Sequence, residues 1–341
     1  MLLNTFDTIP DGLLTVDPPD IGSVLPRPSL IHIPGRTDPP LFVATLLHAN
    51  ETTGLEAIQK LLSDYRDSGR ELPRSLMVFI GNVSAARENL RHLSGQPDYN
   101  RIWDGHGFQG EKSPERQMVE EVTQRAKASG IFASIDIHNT SGRNPHHACV
   151  NRIDPRMIHL GSLFSRTLVY FKRPGSVQSI AFSKFCPAIT LEAGKPGEDY
   201  GVRHIAEFLE LCLNLKSLPD SLEHPDNLNI YHSIAQVRVP KHSTVGFEDG
   251  SKNSDFRFIE NLDKVNFTDL PANSLLGWRL NPELALSVKD EEGNEVADNY
   301  FTYDNGEIRL KREIVPSMFT TNERIIYQDC LGYLMERYTI Q

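Results

Sequence analysis

The chain has 341 residues, 39% hydrophobic and 23% charged, a length that suggests about two domains at roughly 150 residues each. That composition excludes a collagen-like chain, a disordered tail and a disulfide-dense miniprotein. The 35 Lys and Arg against 45 Asp and Glu leave a net charge of −10, which argues against general nucleic-acid binding and, at first sight, against an anionic substrate. No apolar run reaches the roughly 18 residues that span a bilayer. The acidic start, Met1 to Asp20, lacks the basic and apolar regions of a secretory signal. Cys149, Cys186, Cys212 and Cys330 form no C-x-x-C pair, and the first three sit among apolar residues as small buried thiols. A reduced, cytoplasmic protein is expected.

In chain order, Leu41-Phe-Val-Ala-Thr-Leu-Leu-His48 is a nearly continuous apolar run, as in a strand buried on both faces. A helix follows from Leu55 to Asp67, with Thr53-Gly-Leu-Glu56 as a capping box. Ser75 to Gly81 reads as a second buried strand. Residues 82 to 113 form a long irregular connection, a length usually reserved for functional loops or disorder. Helices are predicted from Pro114 to Ser129, from Pro155 to Tyr170 and from Gly201 to Leu215. Strands are predicted over Ile131–His138 and Pro187–Glu192. This alternation predicts an α/β fold, a mostly parallel or mixed sheet with helices on both faces.

The pattern changes after residue 218. Ser217-Leu-Pro219 and His224-Pro-Asp-Asn227 read as a linker. Residues 226 to 325 carry short runs punctuated by turn sequences such as Glu291-Glu-Gly-Asn294 and Tyr303-Asp-Asn-Gly306, which predicts a small β domain. Asn322 to Tyr338 regains helical spacing, so residues 326–341 are expected as a C-terminal helix packing on either domain. The catalytic domain is expected over residues 1–218.

Metal-competent and acid/base side chains gather at strand ends. His48 and Glu51 follow the first buried strand, Asp136-Ile-His138-Asn139 ends the third, and Glu192 ends the fourth. Ligands in open α/β sheets bind outside the carboxyl ends of strands, so these groups can converge. Two histidines and a glutamate suit zinc with a fourth position open. A His-x-x-Glu pair alone is weak, because about one is expected by chance among 12 histidines. His204-Ile-Ala-Glu207 is such a pair, read as ordinary helix neighbours. Adjacent His146 and His147 point to opposite faces of a strand and cannot easily share one metal. Asp136 lies on the same side of its strand as His138 and is expected, with Asn139, to orient a ligand or loop.

Four segments together resemble the succinylglutamate desuccinylase/aspartoacylase family, a branch of the zinc carboxypeptidase-like fold. They are Leu47-His48-Ala-Asn-Glu51-Thr-Thr-Gly54, Gly81-Asn82-Val through Arg91, Asp98-Tyr-Asn-Arg101 and Asp136-Ile-His138-Asn-Thr140; Ile189-Thr-Leu-Glu192-Ala-Gly194 adds a fifth. Their order and spacing match across about 150 residues, which is more specific than any single piece. The resemblance implies one Zn2+ per chain on His48, Glu51 and His138, with Glu192 as general base and acid. It implies that Arg91 stabilises the oxyanion, with Arg87 as a substitute because the loop from Arg91 to Asp98 is longer than the family pattern. It implies that Asn100 and Arg101 grip a substrate carboxylate, a task that suits the planar guanidinium. Gln178 stands where the family pattern has an arginine, which leaves the acyl and amino-acid groups open.

The implied activity is hydrolysis of the amide of a small anionic N-acyl amino acid, such as N-acetylaspartate or N-succinylglutamate, with the β domain excluding long peptides. Nucleic acid and membrane are not expected partners, and a homo-oligomer is compatible with the sequence. A metallocarboxypeptidase acting on short peptides is the alternative enzyme. A non-catalytic binding module ranks lower, because the zinc set is intact.

Overall fold

A computed structural model describes residues 2–103, 113–222, 225–247 and 253–340. Residues 104–112 of the long connection and His224 of the linker lie outside the described residues. The contacts divide the chain into two units. The first comprises Met1–Asn139 and His146–Leu228, and the second Thr140–Pro145 and Asn229–Gln341.

Among the described residues the first unit holds eight strands: β1 (Asn4–Phe6), β2 (Ser29–Ile33), β3 (Leu41–Thr45), β4 (Leu76–Ile80), β5 (Ala133–His138), β6 (His147–Val150), β7 (Thr167–Phe171) and β8 (Ala188–Glu192). They lie in the order β1-β2-β4-β3-β5-β8-β6-β7. The pairs β2/β4 and β6/β8 are antiparallel and the others parallel, so the sheet is mixed. Strands β3, β4, β5 and β8 are buried along their whole length, as their unbroken apolar runs require.

Helices α1 (Thr53–Asp67), α2 (Val83–Ala86), α3 (Pro114–Ser129), α4 (Pro155–Phe164), α5 (Gln178–Phe182) and α6 (Asp199–Asn214) complete the unit. On one face of the sheet, Phe42, Phe79, Trp103, Met118, Val122 and Phe182 form a core that joins β3 and β4 to α3 and α5. On the other face α1 packs on β3 and β5 through Gly54, where a Cβ would meet Thr45 Oγ1 and come within 3.0 Å of Ile137 Cβ. The expected capping box at Thr53 does not form. The Thr53 hydroxyl instead accepts a hydrogen bond from Asn139 Nδ2 at 2.9 Å.

The helix predicted over 155–170 stops at Phe164. Ser165 takes an extended conformation (φ −152°, ψ 148°), and β7 follows with its β-branched and aromatic residues. Leu168 continued the helical spacing from Phe164, which is why the periodicity ran on. Strands β1, β2, β6 and β7 were absent from the sequence reading. β1 has only three residues and β6 four, two of the latter polar or half-buried.

The second unit contains β9 (Asn229–Arg238), β10 (Val245–Gly246), β11 (Phe256–Phe258), β12 (Leu275–Arg279), β13 (Ser287–Asp290), β14 (Phe301–Thr302), β15 (Glu307–Leu310), β16 (Val315–Ser317) and β17 (Gly332–Arg337), with short helices α7 (Ala297–Tyr300) and α8 (Glu323–Gln328). Strand β9 pairs antiparallel with β13 and β17, and β17 with β16. A five-stranded sheet runs β10-β11-β12-β15-β14. Their shared core includes Val237, Phe256, Phe258, Val288, Ile308 and Leu334.

Both predicted turns form, the first bringing Glu295 into an isolated antiparallel bridge with Lys289. Asp290 Oδ1 accepts from Glu292 N and Asn294 N, and Asp304–Gly306 joins antiparallel β14 and β15. The expected C-terminal helix over 326–341 is corrected. Helix α8 ends at Gln328, and Gly332–Arg337 is strand β17. A Cβ on Gly332 would collide with the Phe319 ring, so this strand needs glycine where it crosses that side chain.

Candidate active site

The site is built at the carboxyl ends of three neighbouring strands. Chain direction changes sharply after β3, where Leu46 takes a positive φ of 52°. A tight turn follows, in which Glu51 N donates to His48 O at 3.1 Å. Strand β5 alternates, so Ser134, Asp136 and His138 share one face. In the parallel pair β5/β8, His138 stands beside Glu192. Asn139 links the pieces: its backbone N–H donates to Glu51 Oε2 (3.1 Å), and its side chain bonds Thr53 and the Gly194 carbonyl.

His48, Glu51 and His138 converge, all buried. His48 Nδ1 lies 2.9 Å from Glu51 Oε1, His138 Nδ1 lies 2.7 Å from Glu51 Oε2, and the two Nδ1 atoms are 3.1 Å apart. The far nitrogen of each ring meets a carboxylate. His48 Nε2 is 3.1 Å from Asp98 Oδ1, and His138 Nε2 is 2.9 Å from Asp136 Oδ2. Each Nε2 is thus placed to donate to its carboxylate, which leaves each Nδ1 as the nitrogen that could turn a lone pair on a metal ion.

Two Nδ1 atoms and two carboxylate oxygens then face one point, and a divalent cation there would replace the proton that His138 otherwise shares with Glu51. Two nitrogens bound tetrahedrally at about 2.0 Å would stand about 3.3 Å apart, close to the spacing seen here. These residues could hold a metal ion. Burial works against the Glu51 carboxylate, but His48 and His138 more than reverse this and hold it below the usual carboxylate range. Burial likewise opposes the charged form of His138, while Asp136 and Glu51 hold it well above the usual histidine range.

Glu192 is buried, and its Oε2 has no hydrogen-bond partner among the described residues. Burial pushes its carboxyl up to about 8, opposed by His138 and reinforced by Glu51 and Asp136. Arg91 is buried on the same site, whereas Arg87 is exposed. Arg91 Nε and Nη2 meet Asp98 Oδ2 at 2.9 and 2.8 Å, and Nη1 lies 3.9 Å from Glu51 Oε1. Asp98 is a site residue that the sequence reading did not single out. It joins His48 to Arg91, and burial is outweighed by Arg91, His48 and Arg101, which hold its carboxyl well below the usual range. Its signal was present as the acid two residues before Asn100.

Asn100 is 5% exposed and contacts Asp136, His138 and Gln178, while Arg101 is half-buried with Nη1 bonded to the Asn100 carbonyl. Gln178 is fully buried below the site, its Nε2 donating to Ser134 Oγ at 2.8 Å. His204 is not brought in; its Nε2 donates to the Phe164 carbonyl at 2.8 Å. His146 stacks on Phe164, and its neighbour His147 stands opposite Glu192 across β6/β8. No disulfide joins the four cysteines, and burial pushes the Cys186 thiol up to about 12.

A family model described as the succinylglutamate desuccinylase/aspartoacylase catalytic domain matches residues 38–218, more than half of the chain. The chain belongs to this family. A succinylglutamate desuccinylase from Yersinia enterocolitica is 26% identical over 266 residues, covering 72% of this chain and 76% of that one. The crystal structure of a succinylglutamate desuccinylase from Chromobacterium violaceum shares the fold, with a TM-score of 0.59 at 17% identity over 90% of this chain and 87% of that one. Murine aminoacylase 3 also shares it, with a TM-score of 0.54 at 14% identity over 89% of this chain and 97% of that one. The desuccinylase/aspartoacylase match begins after β2 and runs beyond α6, so it contains every residue of the site. No helix among the described residues is long and apolar enough to cross a membrane.

Proposed function

We propose that this member of a deacylase family is a zinc-dependent amidohydrolase that cleaves the amide bond of an N-acyl amino acid, such as N-acetylaspartate or N-succinylglutamate. The observation that carries the reading is the convergence of both Nδ1 atoms and both Glu51 oxygens beside Glu192. The names of the relatives, succinylglutamate desuccinylase and aminoacylase, support the substrate class. Zinc held by His48, Glu51 and His138 would polarise the scissile carbonyl and bring the pKa of a water molecule near neutrality.

The chain's own residues supply the rest. Glu192 takes the proton of the attacking water and passes it to the leaving amine. Arg91, fixed by Asp98, donates to the developing oxyanion. Arg101 receives the substrate carboxylate. The net charge of −10 does not oppose this, because the local field of Arg91, Arg101 and a cation decides what enters the cleft. The lack of a disulfide among these cysteines supports a reducing, cytoplasmic setting.

The test is a panel of N-acetyl and N-succinyl forms of Asp, Glu and neutral amino acids, with a dipeptide as control, read with and without chelator. Chelator-sensitive release of acetate or succinate supports the reading, and release of free amino acid from the dipeptide alone contradicts it. Arg101→Lys is expected to raise KM by roughly 10- to 100-fold with kcat little changed, because the ammonium cannot form the two-pronged contact. An unchanged KM would remove Arg101 from the carboxylate role.

A further inference from the structure

Two histidines left outside the active site lie side by side. His146 immediately precedes β6, which runs antiparallel to β8, so it stands at the end of the sheet where β8 ends in Glu192. His147 takes the face of Glu192, and the alternation of neighbouring residues sends the His146 ring the other way. It stacks on Phe164 of α4, and its centroid lies 5.3 Å from the ring of His204 on α6, at an interplanar angle of 39°. The proposed zinc ligands His48 and His138 stand in a similar relation, at 4.7 Å and 57°. Both rings have a nitrogen to offer. His204 Nε2 donates to the Phe164 carbonyl at 2.8 Å, and a carbonyl can only accept, so the lone pair of that ring is on Nδ1. His146 Nδ1 is buried without a partner among the described residues, and its Nε2 borders the space above Gly194, 2.9 Å from where a Cβ would stand. Glu198 Oε2 borders the same space at 3.1 Å. Two imidazoles and a carboxylate suit zinc and its neighbours in the transition series, whereas magnesium and calcium prefer oxygen ligands. Among the described residues only His48, Glu51 and His138 bring three ligand atoms within 4.8 Å of one another, so Glu198 has to swing inward here, and its exposed side chain has the room.

We propose that His146, His204 and Glu198 form a second site for a divalent transition metal, separate from the His48, Glu51 and His138 set and weaker than it. It is weaker because its third ligand is not held in place, so the chain as purified keeps about one zinc and takes the second only from added metal. A metal at this site ties the start of β6 to the first turns of α6, across the turn that leaves Glu192. The pair His204-x-x-Glu207, set aside in the sequence as ordinary helix neighbours, then contributes its histidine to a different glutamate.

The test is calorimetric titration of zinc into the full, metal-free chain, run in parallel on wild type and on a variant carrying both His146→Phe and His204→Gln. Phenylalanine keeps a ring on Phe164, and glutamine keeps an N–H for the Phe164 carbonyl. Wild type is expected to take up about one zinc more per chain than the variant, in the weaker phase of the titration, and magnesium is expected to give no such phase. Raising zinc from one equivalent to excess should raise the melting temperature of wild type and leave that of the variant unchanged, because a metal that binds only the folded chain stabilises it. Glu198→Gln should weaken the second phase and spare the first, and it serves the comparison if the double variant does not fold. Equal zinc uptake by wild type and variant would overturn the inference, and so would an equal response to magnesium. The readout is a difference between two chains that share the first site, so a missing first phase in both counts against the proposed function alone.

Discussion

Glu192→Gln is expected to keep its metal and to lower kcat by about 10²- to 10⁴-fold, the range for loss of a general base. That corresponds to a barrier higher by about 3–5 kcal/mol. The substitution preserves volume and removes only the ability to take a proton. Glu192 is suited to that role because it is buried at the end of β8 beside His138, with Oε2 unpartnered among the described residues. Burial raises its carboxyl to about 8, so it holds a proton more readily than a solvated glutamate does. A divalent cation on the neighbouring ligands pulls in the other direction, toward the ionised form that accepts a proton. A carboxyl balanced between these two influences can both take and return a proton near neutral pH. Equal turnover in wild type and variant, at equal metal content, would place the base elsewhere.

His138→Ala is expected to abolish metal binding at equimolar zinc and to reduce activity further than Glu192→Gln does. On the proposed reading the imidazole would supply one ligand nitrogen, and it also meets the Asp136 carboxylate at 2.9 Å. Its removal leaves Asp136, which is fully buried, without its principal cation partner. Breaking a buried pair of this kind costs about 3–5 kcal/mol, so the variant should also unfold at a lower denaturant concentration. A variant that binds zinc as wild type does and melts normally would show that His138 is neither ligand nor part of the buried network. Denaturant titration of metal-free wild type and variant separates the two losses, since the pair with Asp136 is present without metal.

The site was legible in the sequence to the extent that strand ends announce themselves. β5 and β8 end in His138 and Glu192, and His48 follows three residues after β3, so the change from hydrophobic to chemical side chains marks both the strand and the place where ligands gather. Asp98 was less visible. It lies in an irregular loop, and only the fold shows that it meets both His48 and Arg91. Gln178 could be seen as a departure from the family pattern, yet only its burial against Ser134 shows that it lies beneath the site. The second unit was read as β-rich from its turns. Its last strand has a helical look in the sequence because Ile326, Cys330 and Leu334 recur every four residues. Asp329 interrupts that spacing with φ −130° and ψ −82°, ending α8. Periodicity records which residues are buried and does not by itself choose between a helix and a short strand in a crowded core.

The most direct measurement is metal content against turnover in one preparation. The purified chain should carry about one zinc per molecule, lose hydrolysis of an N-acyl amino acid when a chelator removes it, and recover on zinc addition. A metal-free chain that hydrolyses the same substrate at the full rate would contradict the account.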